Sequence, residues 1–301
     1  MSQPVIALAG AAGDMGSRIA KALLERGAAV RVLTRKDASD TYARDVTALG
    51  ATLERADMYD VDSLAAACQG ASCVVSALNG LRDVIIERQG VLLDAAVKAS
   101  VPRFVPSDYS LDFTKTEPGD NRNLDLRREF MAQVERAPIQ ATSILNGAFM
   151  EILEGQAPLI QPRIHRILYW GDADQAQDFT TKDNVAAYTA AAALDDDAPR
   201  ILRIAGDVLS ARDLAAVMSE VSGERYRTLW AGNLTLLGFI IRAARRFAPQ
   251  PSEPFPAWQG MQYMRDSFSG RGKLEPLNNE RYPDINWTSA RDYLSANPPG
   301  Q

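Results

Sequence analysis

The stretch that decides the fold is LAGAAGDMGS, residues 8–17, in which Gly10, Gly13 and Gly16 follow the apolar run PVIALA. The first glycine permits a tight turn off a strand, and the last lets a helix pack closely on the sheet. The middle glycine leaves the backbone open to a pyrophosphate, which the N–H groups at the helix start would face. The spacing G-x-x-G-x-x-G between strand and helix therefore predicts a dinucleotide-binding turn.

Short apolar runs alternate with helical patterns through the first part of the chain. The expected strands cover residues 5–10, 29–34, 51–56, 72–78, 103–107 and 141–146, and the helical segments between them include 17–27, 61–70 and 83–100. Connections of this length force parallel pairing with right-handed crossovers. The strands are apolar along their length, as in a sheet covered on both faces. We therefore predict an α/β fold with a Rossmann-type, doubly wound parallel sheet in residues 1–150.

The pattern changes after Asn146. Residues 151–301 combine a strand in RIHRILYW with helices at 180–197 and 210–224. The segment FAPQPSEPFPAWQG is rich in proline and is interpreted as a loop or lid. These features predict a smaller C-terminal α+β substrate domain, with an approximate boundary that segments of either part can cross.

The net charge and the length of the apolar runs indicate which kinds of partner to expect. The net charge of −5 argues against a nucleic-acid partner. The run LTLLGFII (234–241) stops at Arg242 and is too short to span a bilayer, so no membrane partner is expected. It is as typical of an interface helix as of a pocket wall, which leaves a homodimer as one alternative. The N-terminus lacks the basic region of a signal peptide, so a cytoplasmic location is expected.

The chain has two cysteines, Cys68 and Cys73, and one histidine, His165. These are too few for a zinc site of the usual Cys/His kind, and no metal is expected. The cysteines lie in apolar surroundings and are expected in the core. We interpret His165 as an ordinary strand residue.

The end of the second strand indicates which dinucleotide binds. A carboxylate there would hold the ribose 2′-hydroxyl of NAD, whereas a cation favours the 2′-phosphate of NADP. The strand ends VLTRKD, with Thr34, Arg35 and Lys36 at this point. The two cations favour NADP(H), although Asp37 could soften the preference and a solvated basic pair is the alternative.

Other strand ends complete the expected cofactor pocket, because ligands lie at the carboxyl ends of parallel strands. The fourth strand ends SALNG, whose small residues would let a ribose lie close, and the fifth ends PSDYS, near the expected nicotinamide. The residues expected at the cofactor are Gly10, Ala12, Gly13, Asp14, Met15, Gly16, Thr34, Arg35, Lys36, Asp57, Met58, Ser76, Ala77, Leu78, Asn79, Pro106, Ser107 and Asp108.

Several motifs together resemble the NmrA-like and isoflavone-reductase-like branch of the short-chain dehydrogenases. They are GAAGDMG, TRK, SALNG, VPRFVPSDYS and ATSILNGAFME. The resemblance covers most of the chain and implies a Rossmann domain, NADP(H) binding and a C-terminal substrate pocket. Members include reductases of phenylpropanoids and flavonoids, quinone oxidoreductases and NADP-sensing regulators. By position, it adds Asn146 to the cofactor residues and places Phe149 beside cofactor and substrate.

Two departures from the family bear on the chemistry. Ordinary short-chain dehydrogenases use Tyr-x-x-x-Lys to exchange a proton with a carbonyl oxygen, but Tyr109 is followed by Phe113. The isoflavone-reductase-like enzymes use a helix lysine where this chain has Arg127, or else Arg128. Arginine stays protonated, so it can polarise an oxygen but is a poor general acid. A solvated helix face is the alternative for Arg127, and Lys115 is the nearby lysine that could substitute.

The missing proton donor limits the kinds of acceptor that the protein is expected to reduce. A quinone or another charge-delocalised acceptor can take a hydride first and be protonated by water afterwards. We therefore expect an NADPH-dependent oxidoreductase acting on a small aromatic or quinone-like acceptor. The alternative is an NADP(H)-binding regulatory or sensor protein of NmrA type without turnover. The candidate catalytic residues are Arg127, Tyr109 and Lys115, and the candidate substrate residues are Phe113, Phe149 and Met150.

Overall fold

The computed structural model describes residues 3–299 and divides into two compact units. The first unit comprises the chain up to Tyr109 together with Leu126–Ile144 and Val185–Leu202. The second comprises Ser110–Asp125, Leu145–Asn184 and the chain from Arg203 onward. The two units therefore interleave in sequence between Tyr109 and Arg203.

A six-stranded parallel sheet forms the centre of the first unit. Its strands are β1 (Val5–Ala9), β2 (Ala29–Arg35), β3 (Thr52–Ala56), β4 (Cys73–Ser76), β5 (Arg103–Val105) and β6 (Gln140–Ala141). They lie in the order β3-β2-β1-β4-β5-β6, and every neighbouring pair is parallel. The direction of winding reverses between β1 and β4, which is where ligands of such sheets bind. The predicted Rossmann-type fold is confirmed.

Helices cover this sheet and bury its central strands β1 and β4, whereas the edge strand β3 is mostly exposed and is not apolar along its length, contrary to expectation. They are α1 (Asp14–Glu25), α2 (Asp40–Ala48), α3 (Val61–Cys68) and α4 (Gln89–Lys98), with α5 (Arg122–Val134) and α6 (Lys182–Ala193) each extending across a boundary of the units. A π-helical turn, Asp83–Arg88, leads into α4. The core joins strand residues such as Val74 and Phe104 to Leu64, Leu92 and Phe130 from the helices.

Short strands and helices alternate in the second unit. The further strands of the chain are β7 (Ser143–Leu145), β8 (Ala148–Phe149), β9 (Ile160–Gln161), β10 (Arg166–Tyr169), β11 (Gln177–Thr180), β12 (Ile201–Arg203), β13 (Asp207–Leu209) and β14 (Arg227–Trp230). They form sheets of order β14-β10-β9, β13-β11-β8 and β12-β7. The further helices are α7 (Ala211–Ser222), α8 (Leu234–Phe247), α9 (Ala257–Phe268) and α10 (Ala290–Ala296). Met150, Ile167, Phe179, Leu214 and Phe268 belong to the apolar core of this unit.

The ends of α7 illustrate how sequence determines an element. The Ser210 hydroxyl accepts from the backbone N–H of Asp213, whose carboxylate accepts from the Ser210 backbone in return. The Ser210 hydroxyl also donates to this carboxylate at 2.6 Å, and the hydroxyl and the backbone N–H of Ser210 together hold the pKa of Asp213 below its usual value. At the other end, Gly223 takes a left-handed φ of +72°. The helix predicted at 210–224 is confirmed, because both of its ends are set by local chemistry.

Two predicted strands differ from the structure. His165 is not a strand residue, because Pro162–Ile164 form a short 3-10 turn that leaves His165 left-handed, with φ of +50°, just before β10. Its ring lies 5.3 Å from that of Tyr226. The expected strand 141–146 is broken at Thr142, since β6 pairs with β5 whereas β7 pairs with β12.

Both cysteines are free thiols buried in the first unit, as predicted. Burial raises the pKa of Cys68 to about 11 and that of Cys73 to about 12. Within residues 3–299, no helix is long and apolar enough to cross a membrane. No group of three His, Cys, Asp or Glu side chains in the same range is placed to hold a metal.

Candidate cofactor and active site

The glycine turn joins β1 to α1 and lies against the end of β4. Gly10 has a φ of +90°, and a Cβ there would lie 2.6 Å from the Ala77 carbonyl oxygen. A Cβ on Gly16 would lie 2.1 Å from the carbonyl oxygen of Gly10. Both contacts are impossible for a larger residue without movement of the backbone. The protein itself therefore requires glycine at these two positions.

Gly13 is different, because the protein leaves room beside it. Its φ of −84° and ψ of 162° suit any residue, and a Cβ would meet the Gly10 carbonyl oxygen at an ordinary 3.4 Å. Gly13 caps α1, whose first-turn N–H groups have no partner within the helix. The Asp14 carboxylate is paired with Arg18 at 2.7 Å. Ala12, Gly13 and Asp14 are exposed, so this turn fits a pyrophosphate lying on the helix start.

The basic residues lie where adjacent strands β2 and β3 end. The Arg35 side chain is 70% exposed, and its Nε lies 3.6 Å from Oδ1 of Asp37. Nζ of Lys36 lies 3.6 Å from Oδ2 of Asp57. Exposed pairs of this kind contribute about 0–1 kcal/mol. Both cations are therefore held only weakly and can turn toward a phosphate.

The end of β4 contributes small residues and one unused polar atom. Ser76 is fully buried, and its hydroxyl has no hydrogen-bond partner among the described residues. Ala77 and Leu78 are half-buried, and Asn79 is exposed. Met58, in contrast, lies in the core of the first unit. The residues at the end of β4 are thus better placed than Met58 to contact a ligand bound where the direction of winding reverses.

A buried glutamine fixes the segment that follows β5. Oε1 of Gln89 accepts a 2.9 Å hydrogen bond from the backbone N–H of Ser107, and its Nε2 donates to the Ile85 carbonyl at 3.1 Å. Gln89 is fully buried. The first residue of α4 therefore holds the expected nicotinamide segment in place. Gln89 is not among the predicted site residues, although a lone amide within the helical stretch DVIIERQGVLL is a signal that could have found it.

Asp108 lies at the centre of a buried polar cluster. Its Oδ2 accepts a 2.6 Å hydrogen bond from the Ser143 hydroxyl, which accepts in turn from Nη1 of Arg200 at 2.7 Å. Burial raises the pKa of Asp108, while the Ser143 hydrogen bond and the charges of Arg127 and Arg200 oppose that rise. Arg127 is 7% exposed, so it is not on a solvated helix face. Ser143 and Arg200 are further residues of the site that were not predicted from the sequence.

The structure gives Tyr109 the environment of a core residue. It is buried in the first unit, and burial raises the pKa of its phenol. The neighbouring Thr189 hydroxyl opposes this rise only in part. A phenol in this environment stays neutral at ordinary pH. These surroundings favour a packing role for Tyr109 over proton exchange.

Lys115 belongs to the second unit and is held by backbone carbonyls. Its Nζ donates to the carbonyl oxygens of Lys273 at 2.9 Å and Glu275 at 3.3 Å. It also lies 3.7 Å from the buried carboxylate of Asp112, to which Arg203 donates at 2.7 Å. These contacts are those of a structural clamp within the unit.

The candidate substrate residues are also in the second unit, and only one of them is accessible. Phe113 and Met150 are fully buried. Phe149 is half-buried, and Nζ of Lys182 lies 5.9 Å from its ring centroid. Asn146 is fully buried, and its Oδ1 has no hydrogen-bond partner within residues 3–299. Phe149 is therefore the best placed of the three to contact a ligand.

A groove of about 570 Å³ on the first unit lies away from these residues. It is lined by the end of α5 and residues 197–200. It adjoins the start of β6, whereas the glycine turn and the basic pair follow the carboxyl ends of their strands. The groove is therefore at the opposite edge of the sheet from the candidate cofactor site.

The chain is similar to known proteins over nearly its whole length. The family model described as the NmrA-like family matches residues 2–280. An isoflavone reductase homolog from Zea mays is 27% identical over 312 residues, which cover 96% of this chain and 97% of that protein.

Solved structures share the fold. The structure of AtPrR2 with NADP+ and (+)-pinoresinol has a TM-score of 0.78 at 19% identity and covers 98% of this chain and 99% of that one. An NADPH-dependent quinone oxidoreductase from Escherichia coli has a TM-score of 0.73 at 19% identity and covers 97% and 98%. Likeness at this level of identity supports the Rossmann-type fold.

Proposed function

The chain belongs to the NmrA-like family, as the motif resemblance predicted, and on this premise we propose that it is an NADPH-dependent oxidoreductase that reduces a small aromatic or quinone-like acceptor. The proposal rests on the edge of the first unit's sheet at which the strands end and the direction of winding reverses, between β1 and β4. There the glycine turn follows β1, and the weakly held Arg35 and Lys36 follow the adjacent β2. This edge fits a dinucleotide that carries a 2′-phosphate.

Each part of this edge has a role in holding the cofactor. The open position at Gly13 and the start of α1 receive the pyrophosphate, and Arg35 with Lys36 binds the 2′-phosphate. Residues 76–78 border the ribose. The segment from Pro106 to Asp108, fixed by Gln89, borders the nicotinamide. When bound, NADPH supplies the hydride.

The candidate catalytic residues favour an acceptor that needs no proton from the protein. Arg127 keeps its charge, Tyr109 is a buried neutral phenol, and Lys115 is held by carbonyl oxygens. A quinone accepts the hydride and becomes a hydroquinone anion, which then takes a proton from water. The sum is quinone, NADPH and one proton giving hydroquinone and NADP+. Arg127 stabilises the negative charge that develops on the acceptor oxygen.

The relatives support the reductase class. The maize protein is named an isoflavone reductase homolog, and the Escherichia coli structure is described as an NADPH-dependent quinone oxidoreductase. The second of these names describes reduction of a quinone, a compound with conjugated carbonyls.

The test is NADPH consumption with a panel of quinones, aromatic enones and isolated ketones. We expect consumption that depends on the acceptor, fastest with quinones and slowest with isolated ketones. Calorimetric titration with NADPH serves as the control for an intact cofactor site. Tight NADPH binding without consumption across the panel would contradict the proposal and favour an NADP(H) sensor.

A further inference from the structure

One segment of the second unit carries a charge opposite to that of the whole chain. Residues 225–252 contain five arginines and no Asp or Glu, whereas the chain carries −5 in total. The rest of the chain therefore carries −10. The five are Arg225, Arg227, Arg242, Arg245 and Arg246, and all are exposed. Within residues 3–299, none of them lies within ion-pair distance of a carboxylate.

Helix α8, within this segment, has an apolar side toward the core and a mixed side toward solvent. Leu237 and Ile241 are buried in the core of the second unit. At 100° per residue, the opposite arc carries Thr235, Leu236, Phe239, Arg242, Ala243, Arg246 and Phe247, which we call the outer face of α8. Leu236, Phe239 and Phe247 are 46%, 58% and 84% exposed. Large apolar side chains thus lie among unpaired cations.

We propose that the outer face of α8 docks the protein on the surface of an anionic lipid bilayer. An amphipathic helix that carries Arg beside Phe and Leu lies in the membrane interface, with its rings among the acyl chains and its cations at the headgroups. Arginine stems can extend along apolar surface while the charge stays at the phosphates. The guanidinium of Arg242 already lies 4.4 Å over the Phe239 ring.

Charge favours lipid over a second copy of the chain on this face. A two-fold pair of outer faces would bring Arg242 and Arg246 of one copy to the same interface as those of the other, with no carboxylate from the segment between them. An anionic bilayer supplies the missing negative charge. The mode is docking and not insertion, because α8 has 14 residues and cannot span the bilayer. This inference revises the expectation of no membrane partner, which rested on the length needed for spanning.

The test is co-sedimentation with two kinds of vesicle, one of phosphatidylcholine alone and one of phosphatidylcholine mixed equally with phosphatidylglycerol. The full chain should bind only the anionic vesicles, and added salt should weaken the binding. The double variant Arg242→Gln/Arg246→Gln should bind about 25-fold more weakly, since each basic residue near such a surface contributes about five-fold. The double variant Phe239→Ser/Phe247→Ser should lose at least about ten-fold through its apolar contacts.

The matched control removes two exposed arginines of the first unit, as Arg44→Gln/Arg136→Gln, and should bind like the parent protein. Circular dichroism confirms that each variant folds, and the binding assay contains no nucleotide, so it is independent of the proposed reductase activity.

Three results would overturn the inference. One is equal vesicle binding by the parent protein and the Arg242/Arg246 variant. Another is light scattering that shows a lipid-free dimer which the Phe239/Phe247 variant loses, because the face would then join two copies. The third is a loss of NADPH turnover with a water-soluble quinone in the phenylalanine variant while vesicle binding persists.

Discussion

The Ser143 hydroxyl donates a 2.6 Å hydrogen bond to the carboxylate of Asp108, and both side chains are buried. The bond joins the segment after β5 to β7, and Arg200 donates to the same hydroxyl at 2.7 Å. The charge of Arg127 acts on this carboxylate as well. Arg127 and Arg200 therefore share the Asp108 carboxylate as their counter-charge. Replacing either arginine should change the electrostatic environment of the other.

Replacing Arg127 with alanine should lower the free energy of unfolding by about 3 kcal/mol, because it leaves a buried carboxylate with fewer partners. Urea denaturation measures this change. In a double-mutant cycle, Asp108→Asn should cost less in the Arg127→Ala background than in the parent protein. Additive effects of the two substitutions would show that the side chains do not interact. Because Arg127 is proposed to stabilise charge on the acceptor, Arg127→Ala should also lower kcat and leave the Kd for NADPH unchanged.

Arg35→Ala should weaken NADPH binding by about ten-fold and leave NADH binding nearly unchanged, because the lost partner is a charge-assisted hydrogen bond to the 2′-phosphate. Calorimetric titration with both nucleotides measures the two affinities. Arg44→Ala, at another exposed arginine of the first unit, is the matched control and should change neither. Equal affinities for NADPH and NADH in the parent protein would contradict the assignment of Arg35.

Alanine substitutions at Gly16 and Gly13 should affect the stability of the protein and its NADPH binding differently. Gly16→Ala should cost about 2 kcal/mol or more of stability, because its Cβ would lie 2.1 Å from the Gly10 carbonyl oxygen. Gly13→Ala should cost less than about 1 kcal/mol, since its Cβ meets only an ordinary contact. It should nevertheless weaken NADPH binding, because the methyl group enters the space assigned to the pyrophosphate. Thermal unfolding and nucleotide titration of the two variants test this contrast, and unchanged affinity in Gly13→Ala would argue against it.

Asp266 should make the stability of the protein fall with rising pH. Burial raises the pKa of its carboxyl from the ordinary 3.8, although Asn121 and Arg265 oppose that rise. The folded protein therefore binds this proton more tightly than the unfolded chain does. Its contribution to stability is full below 3.8 and is lost as the pH rises through the folded pKa.

Asp266→Asn removes this titration, so the variant should gain stability relative to the parent protein between acidic and neutral pH. Urea denaturation at several pH values measures the difference. Asp45→Asn, on an exposed helix face, is the control and should show no such trend. A constant difference between Asp266→Asn and the parent protein across this range would contradict the prediction.

The sheet and the glycine turn could be predicted because their signals are local. Gly16 is fixed by a contact with Gly10 within one strand–turn–helix unit, and Gly10 takes a left-handed φ of +90°. The strands β1 and β4 are short, buried runs of mostly apolar residues. The basic pair at Arg35 follows directly from where β2 ends. Residue propensities and motif spacing are therefore enough to predict these features, because they do not depend on distant parts of the chain.

The candidate catalytic residues were harder to place, because their roles depend on contacts distant in sequence. The clamp on Lys115 comes from carbonyls about 160 residues away, and Arg200 reaches Ser143 across 57 residues. The surroundings of Tyr109 include Thr189 on α6. No periodicity or motif predicts such pairs, since they arise only when separate segments assemble.

The two cysteines bear on how the protein can be studied. Cys68 and Cys73 are the chain's only thiols, and both are buried with pKa values raised to about 11 and 12. Alkylating reagents attack thiolates, so both should react slowly in the folded state. A single cysteine introduced at an exposed position, such as Phe247→Cys, would therefore accept a fluorophore selectively without removal of the native thiols. An environment-sensitive dye at that position would report directly whether α8 leaves water.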